Sequence, residues 1–240
     1  MSGHSKWSTI KRKKGAIDAK KGQIFTKLAK MVALAAREGG ADPDMNFRLK
    51  LAMDKAREAN MPADNIKRAI ERGSGQGKEG EQIEELVYEV FGPEGSAVLV
   101  TCLTDNKNRA LSEIKGVFSK LGGALGSVGW MFIKRGQVVV KKNGNADWEE
   151  IKLESIDNGA IDFTEDDETV DFYAEVADLQ KLKDWLEGKS LPVESAALVN
   201  LPKDLIQVND QDKKEKLINF LSALEDLDDV DRVETNVDFG

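Results

Sequence analysis

The 240-residue chain is 40% apolar and 32% charged, with a formal net charge of -8. It is too apolar for a disordered polymer and long enough for one to three packed domains. No apolar run approaches the ~18 residues that would cross a bilayer, the single cysteine, Cys102, cannot close an internal disulfide, and the lysine-bearing start lacks a signal-like apolar stretch, so a cytoplasmic protein is expected.

The first element, residues 1–22, is a basic arm without apolar periodicity. Its charge opposes that of the whole: residues 1–72 hold 17 Lys/Arg and 8 Asp/Glu, whereas residues 73–240 hold 18 and 35. Such a split points to a polyanionic partner for the front end, or to the acidic remainder as its partner.

Three amphipathic helices follow, over 23–73. Ile24, Leu28, Met31, Val32 and Ala35 recur at helical spacing, which puts Lys27, Lys30 and Arg37 on the opposite face. Gly39 and Gly40 stop this helix. Asp42-Pro43-Asp44 is expected to open the second, with Pro43 in its first turn and a seam of Leu49, Ala52, Met53 and Ala56. Lys50 and Arg57 lie away from that seam. Pro62 opens the third helix, with Ile66, Ala69 and Ile70 inward and Gly73 as its stop.

Residues 74–82 read as a linker. Gly75, Gly77 and Gly80 fit a dinucleotide-binding string, but a helix precedes them and a strand follows, the reverse of what that motif needs.

The rest is mixed. ELVYEVFGP and SAVLVTCLT form a hairpin, TDNKNRALSEIKGVFSKLGG a helix, and GSVGWMFI a strand. From 134 the order βαββαβ predicts a split-βαβ, ferredoxin-like sandwich. A last helix and strand lack partners of their own, so they are expected to return to the earlier sheet. The predicted fold class is α+β: an N-terminal three-helix domain followed by two small α+β sandwich domains, the second (134–204) inserted into the first (83–133 plus 205–240).

Catalytic groups are scarce. His4 is the only histidine and Cys102 stands alone, so no zinc set or nucleophilic triad can be assembled. The acidic stretches Glu165–Glu168 and Glu225–Asp231 read as solvated segments without the spacing of a calcium loop. No cofactor, metal or catalytic residue is predicted. The arm offers more. Lys6, Lys11, Arg12, Lys13, Lys14, Lys20 and Lys21 would release counterions from a phosphate backbone, and Trp7 could stack on an unpaired base. The competing readings are a solvated tail whose Trp7 packs back on the helices, and an arm folded against the acidic domains. Lys27, Lys30, Lys50 and Arg57 would extend the basic surface. Lys107 and Arg109, beside a helix N-terminus, form a secondary phosphate candidate, with capping by Asp105 or Asn106 as the plainer reading.

Several stretches, GHSKWSTIKRKKGAIDAKKGQIFTKLAK, GGADPDMNFRLKLAMDKAREANMPADNIKRAIERG, YEVFGPEGSAVLVTCLTDNKNR and LGGALGSVGWMF, resemble the YebC/PmpR family. The arm reads KRKK where that family more often includes a histidine. The resemblance implies three domains, one inserted in another, and a DNA-binding transcriptional regulator. Organelle relatives imply a translational activator acting on the ribosome or mRNA as the alternative. A protein–protein adaptor and a metal-dependent hydrolase using the abundant acids rank below these. The expected partner is nucleic acid, DNA before RNA or ribosome, with room for a protein partner on the acidic domains and no membrane.

Overall fold

A computed structural model describes residues 21–75, 83–144 and 146–239. These residues form an α+β fold of two compact units. One comprises described residues from 21 to 129 and from 209 to 233; the other comprises those from 130 to 208 and from 234 to 239.

In the first unit, helices α1 (Lys21–Gly39), α2 (Phe47–Glu58) and α3 (Ala63–Gly73) make the N-terminal three-helix domain. Leu28, Val32 and Ala35 of α1 pack with Leu49 and Ala52 of α2 and with Ile66 of α3, the periodic seams that the sequence predicts. The second helix starts later than expected. Asp42 Oδ1 accepts the amide of Asp44, so the Asp-Pro-Asp stretch closes a turn instead. Asn46 then caps α2: its Oδ1 accepts Leu49 N at 3.0 Å. Its Nδ2 donates to the carbonyls of Ala35 and Gly40, tying the start of α2 to the end of α1.

Strand β1 (Glu84–Phe91) pairs antiparallel with β2 (Ala97–Thr104) and with the two-residue β3 (Ala124–Leu125). The sheet order is β3-β1-β2-β9, where β9 is Val230–Thr235 near the chain's end. The last helix, α7 (Gln211–Glu225), packs on α4 (Lys107–Leu121) through stacked Phe118 and Phe220, 6.2 Å apart. The chain thus leaves this layer and returns to it, and the second α+β layer is the insertion. Every residue of β2 is buried. Part of its cover is α1, whose Ala33 and Leu34 meet Ile83 and Leu103.

Of the predicted strand GSVGWMFI only the last two residues, Phe132 and Ile133, are extended, as the start of a later strand; the rest is a loop and a short 3-10 turn, Gly129–Met131. Phe91 lies where a side chain at Gly126 would stand. Glu89 Oε2 accepts the amides of Val128 and Gly129, both at 2.6 Å. This carboxylate holds the loop's backbone where a strand neighbour would otherwise pair.

In the second unit, β4 (Phe132–Lys141), α5 (Trp148–Asp157), β5 (Ala160–Glu165), β6 (Thr169–Ala174), α6 (Leu179–Gly188) and β7 (Val193–Pro202) follow one another. The sheet order is β5-β6-β4-β7 with every pairing antiparallel, the layout a split βαβ order produces. Both helices cover one face. Leu179 of α6 presses on Gly136, and Lys152 of α5 lies 5.3 Å from the Phe163 ring. Two short strands, β8 (Ile206–Gln207) and β10 (Val237–Asp238), pair in parallel. No helix among the described residues is long and apolar enough to cross a membrane.

Candidate nucleic-acid interface

Helix α1 carries Gln23, Lys27 and Lys30 along one stripe, at offsets of four and three. All three point into the molecule's own acidic segment. Gln23 Nε2 donates to Asp228 Oδ1 at 3.0 Å. Lys27 Nζ donates to the Glu225 carbonyl at 2.6 Å, where the exposed carbonyls and negative dipole end of α7 favour a cation. Lys30 Nζ meets Asp229 Oδ1 at 2.5 Å.

Asp229 is the hub of this contact and is only 2% exposed. Besides Lys30 it receives Arg109 Nε on Oδ2 and Nη2 on Oδ1, each at 3.0 Å, and the Thr104 hydroxyl at 2.9 Å. Burial alone would raise the Asp229 carboxyl. Lys30, Thr104 and Arg109 together outweigh it and hold the group below the ordinary carboxylate range. The nearby thiol of Cys102 is pushed up to about 12, by burial first and by Asp229 second.

This geometry corrects one expectation in part. The acidic stretch Glu225–Asp231 is not wholly solvated: Asp226 and Asp228 are exposed, but Asp229 is buried and the Glu225 carbonyl, Asp228 and Asp229 receive side chains of α1. Lys27, Lys30 and Arg109 are each engaged by an acid or a carbonyl of this chain, and Arg109 stays 44% exposed. Arg109 is also held by Asp105 at 2.8 Å. Asn106 caps α4 through Arg109 N, so the capping reading holds there. Lys107 remains exposed but pairs with Glu84 at 2.7 Å and lowers that carboxyl.

Other cations face outward. Lys50 is exposed and makes no ion pair among the described residues. Arg57 is 59% exposed and pairs with Asp54 at 3.0 Å, one turn away on its own helix. The structure adds Lys67, 76% exposed and 3.9 Å from Glu71, and Arg68 and Arg72, both exposed. Arg57 and Lys67 line opposite sides of a groove between α2 and α3, floored by Met53, Met61, Ile66 and Ile70. The α3 cations could have been found by the helical-period argument that located Lys50 and Arg57. Lys6, Trp7, Lys11, Arg12, Lys13, Lys14 and Lys20 lie outside the described residues, as does most of the linker; Lys21 is the first residue of α1.

The acid-rich hairpin tip between β5 and β6 is internally bonded. Asp166 Oδ1 accepts the amides of Glu168 and Thr169, while Glu165 pairs with Lys142 and Lys152. Among the described residues, no group of three or more His, Cys, Asp or Glu is disposed to hold a metal.

Comparison with known proteins agrees with this anatomy. Residues 5–76 match the family model described as TACO1/YebC protein N-terminal domain, and residues 83–237 match TACO1/YebC second and third domain. A "Probable transcriptional regulatory protein" of Desulfosudis oleivorans is 48% identical over 98% of this chain and 96% of its own length. One from Persephonella marina is 45% identical over 98% and 95%. The crystal structure of a conserved hypothetical protein from Aquifex aeolicus superimposes with a TM-score of 0.86 at 40% identity, covering 93% of each chain. The chain belongs to the TACO1/YebC family.

Proposed function

We propose that this protein is a non-enzymatic regulator that binds nucleic acid, with DNA and transcriptional control as the leading assignment. The carrying observation is the outward basic surface of α2 and α3: Lys50, Arg57, Lys67, Arg68 and Arg72 are all exposed. The sequence adds to it a 22-residue arm with seven Lys/Arg and a single acid, Asp18. The names of the bacterial relatives support a role in transcription. Lys6, Lys11, Arg12, Lys13, Lys14, Lys20 and Lys21 contact phosphates, Trp7 stacks, and the α2–α3 cations extend the grip. These charges are spread over two helices and an arm. That arrangement suits backbone contact, which positions a protein on a duplex, more than base reading from one recognition helix.

The test is retention on duplex DNA, structured RNA and ribosomes across a salt series. Charge reversal at Lys11, Arg12, Lys13 and Lys14 is expected to weaken binding and to lower the salt slope by roughly 0.9 for every DNA phosphate left unneutralised. Unchanged binding by the reversed chain would remove the arm from the interface. Retention on RNA or ribosomes alone would move the function to translation.

A further inference from the structure

The groove between α2 and α3 is apolar where its surroundings are charged. Met61 and Ile66 lie buried at its base, and Met53, Ala63 and Ile70 complete the apolar lining. Its volume is about 370 Å³, at the low end of the ~300–1,000 Å³ of small-molecule sites. Helical spacing builds it. Met53 and Arg57 are one turn apart on α2; Ile66 and Ile70, and likewise Lys67 and Glu71, are one turn apart on α3. Each helix therefore sets charged side chains beside apolar ones along the groove.

The polar groups of the lining differ in sign and in what they ask of an occupant. Arg57 and Lys67 are exposed on opposite sides, and Arg57 gives one N–H of its guanidinium fork to Asp54 Oδ1. Glu71 stands on the α3 wall. Its carboxylate is 3.9 Å from Lys67, too far for a hydrogen bond. A fitting occupant has a small apolar body, N–H donors for Glu71, and negative charge outside the groove for Arg57 and Lys67. An unpaired nucleotide has all three: a base with apolar faces, donors on its edge, and phosphates on either side. An acidic amphipathic peptide helix would suit the floor and the two cations, but it would bring carboxylates beside Glu71 and no donor to it.

We propose that this groove receives one unpaired base of the bound nucleic acid, with Glu71 reading its edge and Arg57 and Lys67 holding the flanking phosphates. The inference rests on the proposed function and sharpens it: the preferred ligand is a duplex interrupted by an unpaired base. A fully paired duplex would first have to extrude a base, and that cost is least for a base already unpaired. The flexible side chains of Met53 and Met61 adapt to rings of different size, and the Arg57 guanidinium plane suits a base face. Guanine is the favoured base. Its N1–H and N2–H lie side by side, as the two oxygens of a carboxylate accept them, whereas the single N–H of thymine sits between two carbonyls that repel Glu71. Lys50, Arg68 and Arg72, exposed on the same two helices, remain for the paired backbone.

The experiment measures binding of the full-length chain to a short perfect duplex, to the same duplex with a single bulged guanine, and to one with a single bulged thymine, each made in DNA and in RNA, across a salt series. The guanine bulge is expected to bind about five- to tenfold more tightly than the perfect duplex. That is the low end of what a base gains by stacking, because thioether and aliphatic side chains stand where an aromatic ring would. The thymine bulge should bind about threefold more weakly than the guanine bulge, the worth of one hydrogen bond, and Glu71→Gln should narrow that difference. Ala63→Trp fills the groove from an exposed position. It should abolish the gain from either bulge and leave the affinity and salt slope of the perfect duplex unchanged. If this variant does not fold, the base choice of Glu71→Gln decides. Salt-dependent duplex binding with no gain from a bulge would overturn the groove assignment and leave the proposed function standing. A gain that survives in Ala63→Trp would seat the base elsewhere and overturn the assignment as well. A glutamate-rich amphipathic peptide that binds the wild type but not Ala63→Trp, without any bulge preference, would give the groove to a protein partner instead. Failure to bind any of these nucleic acids would overturn the proposed function and the groove assignment together.

Discussion

Helices α1 and α2 carry the same signal in sequence and put it to opposite uses. Each has an apolar seam and lysines or arginines off that seam. On α2, Lys50 and Arg57 face water. On α1, Lys27 and Lys30 are consumed by the Glu225 carbonyl and by Asp229, about 200 residues later. The stripe of Gln23, Lys27 and Lys30 runs on into Leu34, which is 1% exposed against Ile83 and Leu103. Helix α1 is therefore a two-sided element, with one face in the bundle and one against the first α+β layer. A polar face in sequence identifies where charge stands; it does not say whether solvent or a buried acid receives it.

The largest effect should come from removing the acid at the centre of the α1 contact. Asp229→Ala leaves Lys30 and Arg109 facing a buried gap, and such a loss costs about 3–5 kcal/mol. Denaturant midpoints with an unchanged m-value would show it. Next is the packing of α3 on α1. A methyl group at Gly73 would collide with the Ala33 carbonyl, so Gly73→Ala should cost about 1–3 kcal/mol as an overpacking change. Thermal unfolding would measure it.

The pH dependence sharpens the comparison further. Asp229 is depressed in the folded state. Its stabilising contribution is therefore present above the unfolded carboxyl value near pH 4 and is lost as pH falls through the lower folded value. The wild type should lose stability over that acid window, and Asp229→Asn, starting lower, should lack this component. Urea titrations between pH 6 and pH 2 would compare the slopes. The smallest stability effect belongs to α2. Lys50→Met with Arg57→Met should change unfolding free energy by less than about 0.5 kcal/mol, as exposed positions do, while weakening binding to duplex DNA.

Much of the architecture was legible in the residues. The 3.6-residue seams of the first three helices, and the unpartnered final helix and strand that return to the first sheet, follow from periodicity and from the need to pair edges. The start of α2 lies later than Pro43 suggests because Asp42 closes a turn on the Asp44 amide and Asn46 then caps the helix at Leu49. The loop before Met131 read as a strand because its composition is β-like. Glu89, some forty residues earlier, captures its amides instead. The site was legible only as charge. Which cations stay open depends on partners such as Asp229 that are brought close by the closure of the sheet, and no local pattern encodes that pairing.

The most direct measurement is the salt dependence of duplex DNA binding for two variants of the full chain. One carries Lys27→Met and Lys30→Met, the other Lys50→Glu, Arg57→Glu and Lys67→Glu. The account predicts a lower salt slope, by roughly 0.9 for each phosphate that the protein no longer neutralises, only in the α2–α3 variant. The α1 variant should keep the wild-type slope and show reduced stability. A flattened slope in the α1 variant, or an unchanged one in the α2–α3 variant, would contradict it.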